Sequence, residues 1–207
     1  MINRRQFGKG GLAAVTAASL SSASVISASA QGAEVKVALI APMSGAWARQ
    51  GELMKKGGDL AIKNINDAGG IKSMGGAKMK MIVIDAGDSA EKAKNAAQRL
   101  VSSETDVIGG TGAWLSSFTL AVTEVTERAD MPWLTLSYSD QITARGFKNV
   151  FQTSMPASQM AAGTIPVMTD MYHKQTGKKP ASMAIIQDNT ASPMSFTKAL
   201  REGSLDK

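Results

Sequence analysis

The sequence predicts an α/β fold: an open parallel sheet with helices on both faces, followed by an incomplete second α/β lobe. Three observations carry this. Strand-like and helix-like segments alternate at short spacing from Glu34 onward. The strand segments lean toward continuous apolar runs, the mark of a sheet buried on both faces. After Thr153 the alternation restarts, and only one more strand-like run precedes Lys207.

The elements follow in order. In "EVKVALIAPMSG", beginning at Glu34, Val35, Val37 and Leu39 alternate and Ile40 extends the run, which predicts a first strand. Pro42 and Gly45 turn the chain. "GELMKKGGDLAIKNINDAGGIK" predicts a helix, with Leu53, Gly57, Leu60, Ala61 and Ile65 at helical spacing. Gly69 and Gly70 end it, since glycine accepts a left-handed cap. "KMKMIVIDA" is the second strand. Asp88 is expected to cap the next helix, with Glu91 three residues on as in a capping box. Ala90, Ala93, Ala97, Leu100 and Val101 share one face of that helix. "DVIGG" is the third strand and Phe118 to Ala129 the third helix; "MPWLTLS" and "NVFQTS" are the fourth and fifth extended pieces. Beyond them come a helix over "QMAAGTIPVMTDMY" with a kink at Pro166, a strand over "ASMAIIQD" and a helix over "SPMSFTKALRE". Residues 31–153 make one compact lobe. Residues 154–207 hold a single strand, which neither forms a sheet nor buries a core alone, so either this tail docks on the first lobe or the second lobe is truncated, and truncation is the expectation.

The first 30 residues stand apart from the fold. Arg4, Arg5 and Phe7 precede a weakly apolar run rich in Ala and Ser, which closes on Ala28-Ser29-Ala30. This resembles a twin-arginine export signal with cleavage after Ala30. The run from Leu12 to Ser27 is too short and too hydroxyl-rich to span a bilayer, which takes about 20 apolar residues. Arg4, Arg5 and Lys9 account for half of the net charge of +6. The remaining Lys and Arg form no long basic run, so nucleic acid is not an expected partner. The absence of cysteine excludes disulfides and thiolate metal sites. The one histidine, His173, sits in polar "DMYHKQTGKK" and reads as a solvated residue. Neither a zinc site nor a catalytic dyad is expected around it.

In an open parallel sheet the ligand crevice lies beyond the carboxyl ends of the strands. Three such turns are chemically suggestive: "APMSGAWARQG" with Ser44, Trp47, Arg49 and Gln50; "GGTGAWLSSF" with Trp114, Ser116 and Ser117; and "LSYSDQIT" with Ser137, Tyr138 and Ser139. Hydroxyls at a helix N-terminus add donors to unpaired backbone N–H groups and a positive dipole end, which suits a small anion. Trp47 or Tyr138 would cover an apolar portion of the ligand. The same serines also read as plain helix caps, and both tryptophans as core packing. Two sharper motifs fail. Gly110-Thr111-Gly112 lacks the third glycine of a dinucleotide fingerprint and follows the third strand, not the first. Ser116 lacks the flanking glycines of a nucleophile elbow. No cofactor and no catalytic residue is expected.

"VKVALIAPMSG", "AIKNINDAGGIK", the Asp85-x-x-Asp88 pair, "VIGG…SSFTLAV", "RGFKNVFQT" and "SMAIIQD" occur in the order seen in periplasmic amino-acid-binding proteins of ABC transporters. The resemblance is to the leucine/isoleucine/valine-binding type, with the type I periplasmic binding protein fold, and runs from about Glu34 to Leu200. It implies two α/β lobes joined by crossing segments near "QTSMPAS", closing on a small ligand without turnover. It implies that first-lobe positions matching Ser116, Ser117, Ser137, Tyr138 and Ser139 hold the ligand's carboxylate and ammonium. Ser192 stands where an aromatic usually follows the "IIxD" strand, a departure that leaves branched-chain specificity unsupported. A transporter permease is the implied partner, the periplasm the implied location, and a monomer the implied state of the complete protein. Two alternatives stand beside this: a ligand-sensing module of the same fold, and an exported α/β enzyme binding phosphate at Gly109–Gly112.

Overall fold

The computed structural model describes residues 34–205. The predicted export signal lies outside the described residues. Five strands form one sheet: β1 (Val35–Ala41), β2 (Met79–Asp85), β3 (Val107–Gly112), β4 (Trp133–Thr135) and β5 (Val150–Gln152). Their order across the sheet is β2-β1-β3-β4-β5, and every pair is parallel. The helices are α1 (Ala48–Asp67), α2 (Ala90–Ser103), α3 (Ser116–Arg128), α4 (Gln141–Ala144), α5 (Ala157–Thr176) and α6 (Ala191–Leu200). The predicted alternation of strand and helix therefore holds through the first lobe. Among the described residues no helix is long and apolar enough to cross a membrane.

The main core lies between the sheet and the α2–α3 pair. Ala38 and Ile40 of β1, Ala93, Ala96, Ala97 and Leu100 of α2, and Phe118 and Val122 of α3 are buried there with Trp133. The small α2 side chains let that helix sit close to the strands, and Trp133 fills the space above Gly110. A Cβ at Gly110 would lie 2.4 Å from the Trp133 ring.

On the opposite face α1 covers β1 and β2, but by an unexpected side. Leu53, Leu60 and Ile65 of the predicted stripe are exposed, as are Gly57 and Ala61. The inward side carries Gly51, Gly58, Ile62 and Asn66. A Cβ at Gly51 would stand 2.1 Å from the Pro42 carbonyl oxygen, and one at Gly58 would stand 2.7 Å from Met81 Sδ. Glycine thus marks the inner face because the helix backbone approaches the strands closely. Asn66 finishes the contact like a missing strand neighbour: its Nδ2 donates to Met79 O and its Oδ1 accepts from Met79 N, both at 2.8 Å.

Two further expectations are corrected. Ser89, not Asp88, caps α2: its Oγ accepts from Lys92 N at 3.2 Å, while Asp88 pairs with Lys92 Nζ. The cap shifts by one residue because Ser89 takes the extended backbone that the N-cap position needs. The predicted strand over "ASMAIIQD" does not form, and Ile186 is 98% exposed. A strand needs a neighbour for its backbone N–H and C=O groups, and none is present for this run among the described residues. Pro166 lies inside α5. Residues beyond β5 instead make a helix pair, α5 with α6, and α6 also touches α3.

Candidate ligand site at the carboxyl edge of the sheet

The chain leaves β1 in one direction to reach β2 and returns across β1 to reach β3. The order 2-1-3-4-5 therefore puts a topological switch point between β1 and β3, where a crevice opens. The three suggestive turns follow β1, β3 and β4, which are adjacent in the sheet. They converge at one edge as expected.

The turn after β3 is held in an unusual shape. Gly112 has φ +117, and a Cβ there would lie 2.1 Å from the Ile40 carbonyl oxygen, so only glycine fits. Ala113 and Trp114 follow with φ 68 and 55, two successive non-glycine residues in the left-handed region. Such residues cost of order 1–3 kcal/mol each and persist where the surroundings fix them. Here Ala113 N donates to Ile40 O at 2.6 Å, Leu115 N to Ala113 O at 2.7 Å, and Ser137 Oγ to Trp114 O at 3.0 Å.

Hydroxyls stitch this turn to the one after β4. Ser116 Oγ accepts from Tyr138 N at 3.2 Å and Ser139 N at 3.1 Å. Having accepted twice, it still has its own proton to donate. Ser137 Oγ lies 2.7 Å from Thr119 Oγ1, and Thr135 Oγ1 accepts from Ser137 N at 3.1 Å. Ser116, Ser137 and Ser139 are buried, while Ser117 is half-buried and Tyr138 exposed. The outward groups are therefore Ser117, Tyr138 and the first turn of α3, whose N-cap residue Leu115 supplies no side-chain acceptor.

Trp47, in the short 3-10 turn Gly45–Trp47 after β1, meets Trp114 across the switch point with ring centroids 4.8 Å apart and planes at 49°. Gln50, one turn further along, has a buried Oε1 without a hydrogen-bond partner among the described residues. Ser192 is in the first turn of α6 and shares none of these hydrogen bonds, whereas Ser195, one turn on, bonds to Asp140 in the turn after β4.

Two carboxylates flank the site and brace its frame. Burial raises the Asp85 carboxyl, but hydrogen bonds from Ser44, Gly87 N and Met43 N outweigh it and hold Asp85 below the usual range. Burial likewise raises Asp140, and hydrogen bonds from Ser158 and Ser195 outweigh it. Asp140 thereby ties α5 and α6 to the turn after β4; Ser195 Oγ donates to it at 2.5 Å. The residues that sequence reasoning missed are Thr119, Thr135 and Asp140. A signal existed for the first: Thr119, Thr123 and Thr126 fall at helical spacing and are fully buried, a polar stripe on the inner face of α3.

Donors dominate the outward groups. His173 lies on the exposed surface of α5, and among the described residues no cluster of His, Cys, Asp and Glu is arranged to hold a metal. A shallow open groove along α5, lined by Ile165, Pro166, Thr169, Asp170, His173 and Lys179, includes none of the three turns.

A family model described as "Periplasmic binding protein" matches residues 34–203. The chain belongs to the periplasmic binding protein family. Within it, the Leu/Ile/Val-binding protein homolog 8 of Brucella abortus is 31% identical over 156 residues, which is 74% of this chain and 37% of that protein. The substrate-binding protein LivJ of Streptococcus pneumoniae, solved with isoleucine, superposes with a TM-score of 0.55 at 25% identity, over 60% of this chain and 35% of its own. A solute-binding protein from R. palustris, solved with 4-hydroxybenzoate, gives a TM-score of 0.61 at 23% identity, over 83% and 44% of the two chains, and shares the fold. This periplasmic binding protein spans less than half the length of these relatives. Among the relatives it matches, it is similar to proteins of the leucine/isoleucine/valine-binding type.

Proposed function

We propose that this chain is the ligand-recognising part of an extracytoplasmic solute-binding protein of an ABC importer, taking a small carboxylate-bearing ligand such as an amino acid. One observation carries the reading. The turns after β3 and β4 are hydrogen-bonded into a single wall at the switch point, and their outward groups are donors. Ser117, Tyr138 and the first N–H groups of α3 would receive the carboxylate, with Ser116 donating from behind. Ser137 and Ser139 shape the wall from inside, and Gln50 supplies a further polar group beside Trp47. The names of its Leu/Ile/Val-binding relatives support an amino-acid-like ligand.

Residues 31–153 are the first lobe in this reading, and residues 154–207 begin the second, which brings Ser192 to the far side of the cleft. Residues 1–30 direct export by the twin-arginine route, and the loaded protein delivers its ligand to a membrane permease without turnover.

Thermal unfolding with a panel of amino acids and aromatic acids tests the reading. A ligand at 100-fold its Kd adds about 2.7 kcal/mol to stability. Flat melting curves across the whole panel would sink it. N-terminal sequencing of the exported protein, expected to begin at Gln31, tests the signal.

A further inference from the structure

We infer that Trp47 and Trp114 form an aromatic platform that selects ligands with a flat aromatic ring over aliphatic ones. The inference rests on the carboxylate site proposed above and names the class of ligand it takes.

Position carries the first part. The two rings come from different strand-to-helix turns and meet across the switch point, 4.8 Å apart. They are not the cover of the main core, whose large aromatic is Trp133, fully buried under α3. Trp114 keeps 37% of its surface open although it belongs to a turn pinned by three hydrogen bonds. An indole left open at a crevice is a surface to which a ligand can be applied.

The backbone carries the second part. Trp114 is a bulky side chain with φ 55, and Ala113 before it has φ 68. A bulky residue in that region is an outlier that its surroundings must hold in place. The surroundings are specific: Ser137 Oγ grips the Trp114 carbonyl, and Ser137 is itself bonded to Thr119. The hydroxyl network that builds the wall thus also fixes the backbone that carries the indole.

Chemistry carries the third part. The pair is tilted at 49°, so the two faces do not stack flat and close each other off. A ring entering against such a pair gains edge-to-face or offset contact, which a saturated ring of similar size does not. Trp114 precedes the wall residue Ser116 by only two positions, so a carboxylate at the α3 N-terminus sits a short reach from the indole. A benzoate-like acid spans that reach with its ring on the platform.

The test compares benzoate, cyclohexanecarboxylate and leucine on the 207-residue chain, followed by the indole N–H signals in NMR and by thermal unfolding. The three indole signals are assigned with single Trp→Phe variants. Expected: benzoate moves the Trp47 and Trp114 signals and not that of Trp133, and binds about tenfold more tightly than cyclohexanecarboxylate. Trp114→Leu then weakens benzoate about tenfold and leaves cyclohexanecarboxylate unchanged; Trp47→Leu serves where that variant fails to fold. Equal affinity for benzoate and cyclohexanecarboxylate, with still indole signals, overturns the platform and leaves the carboxylate site standing. Binding of none of the three acids overturns the platform and the carboxylate site together.

Discussion

Two runs of this chain look alike and end differently. Met81-Ile82-Val83-Ile84-Asp85 and Met183-Ala184-Ile185-Ile186-Gln187 are both apolar, both preceded by a polar stretch, and both read as strands. The first lies in register beside β1, from Val37↔Met81 to Ala41↔Asp85, with its side chains half-buried under α1 and α2. The second pairs with nothing among the described residues and leaves Ile186 exposed. A strand is a property of its neighbour as much as of its own residues. Alternation and β-branching say that a run can join a sheet; they do not supply the sheet.

The contrast is broken most forcefully in the cores. Trp133→Ala removes a fully buried ring from the first lobe and is expected to cost about 3–5 kcal/mol, read by chemical denaturation. Ile186→Ala, in the unpaired run, is expected to stay within about 0.5 kcal/mol. A large loss from Ile186→Ala would mean that residues 181–188 find a partner in solution.

A smaller effect separates the two faces of α1. Gly51→Ala forces a Cβ into the Pro42 carbonyl and is expected to cost about 1–3 kcal/mol, whereas Leu53→Ala on the open face changes stability by less than about 0.5 kcal/mol. Equal costs would return the helix to the face that its leucines suggested.

Ser137→Ala cuts the links to Thr119 and to the Trp114 carbonyl and is expected to lose about 1–2 kcal/mol. The same change should loosen the turn after β3, seen as faster amide exchange at Leu115. Unchanged exchange there would detach the hydroxyl network from the shape of the turn.

The smallest effects lie at the helix starts and at Asp140. Ser89→Ala, which loses a side-chain cap, should cost about 1 kcal/mol, while Thr190→Ala, whose side chain makes no cap bond to α6, should cost less. Asp140 is held below 3.8 in the folded chain, so its contribution is complete above that value and fades as pH falls through the lowered folded one. Acid titration should therefore loosen α5 and α6 from the turn after β4, and Asp140→Asn should flatten that response.

Much of the first lobe was legible because its signals are local. Val35 to Ile40 alternate and then run apolar, and the five strand-like pieces need only their order to imply a parallel sheet. The convergence of the three turns was legible in part: placement at the carboxyl edge follows from the alternation, but the order that makes β1, β3 and β4 neighbours does not. What escaped depends on contacts between distant residues. Gly51 and Gly58 reveal the inner face of α1 only when Pro42 and Met81 are known to lie opposite them. Ser116, Ser137 and Ser139 read as ligand donors; the structure buries all three, ties the wall through the hydroxyls of Ser116 and Ser137 and the backbone N–H of Ser139, and leaves the Ser139 hydroxyl without a partner among the described residues. Asp140 was silent because its partners, Ser158 and Ser195, lie 18 and 55 residues away.

The central claim is that ligand meets this chain at the carboxyl edge of β1, β3 and β4. Mapping backbone amide shifts during titration with leucine and with benzoate tests it most directly. The account predicts shifts confined to residues 43–50, 112–118 and 136–140, strongest at Ser117 and Tyr138. Shifts centred instead on the α5 groove from Ile165 to His173, or none at any concentration, would contradict it.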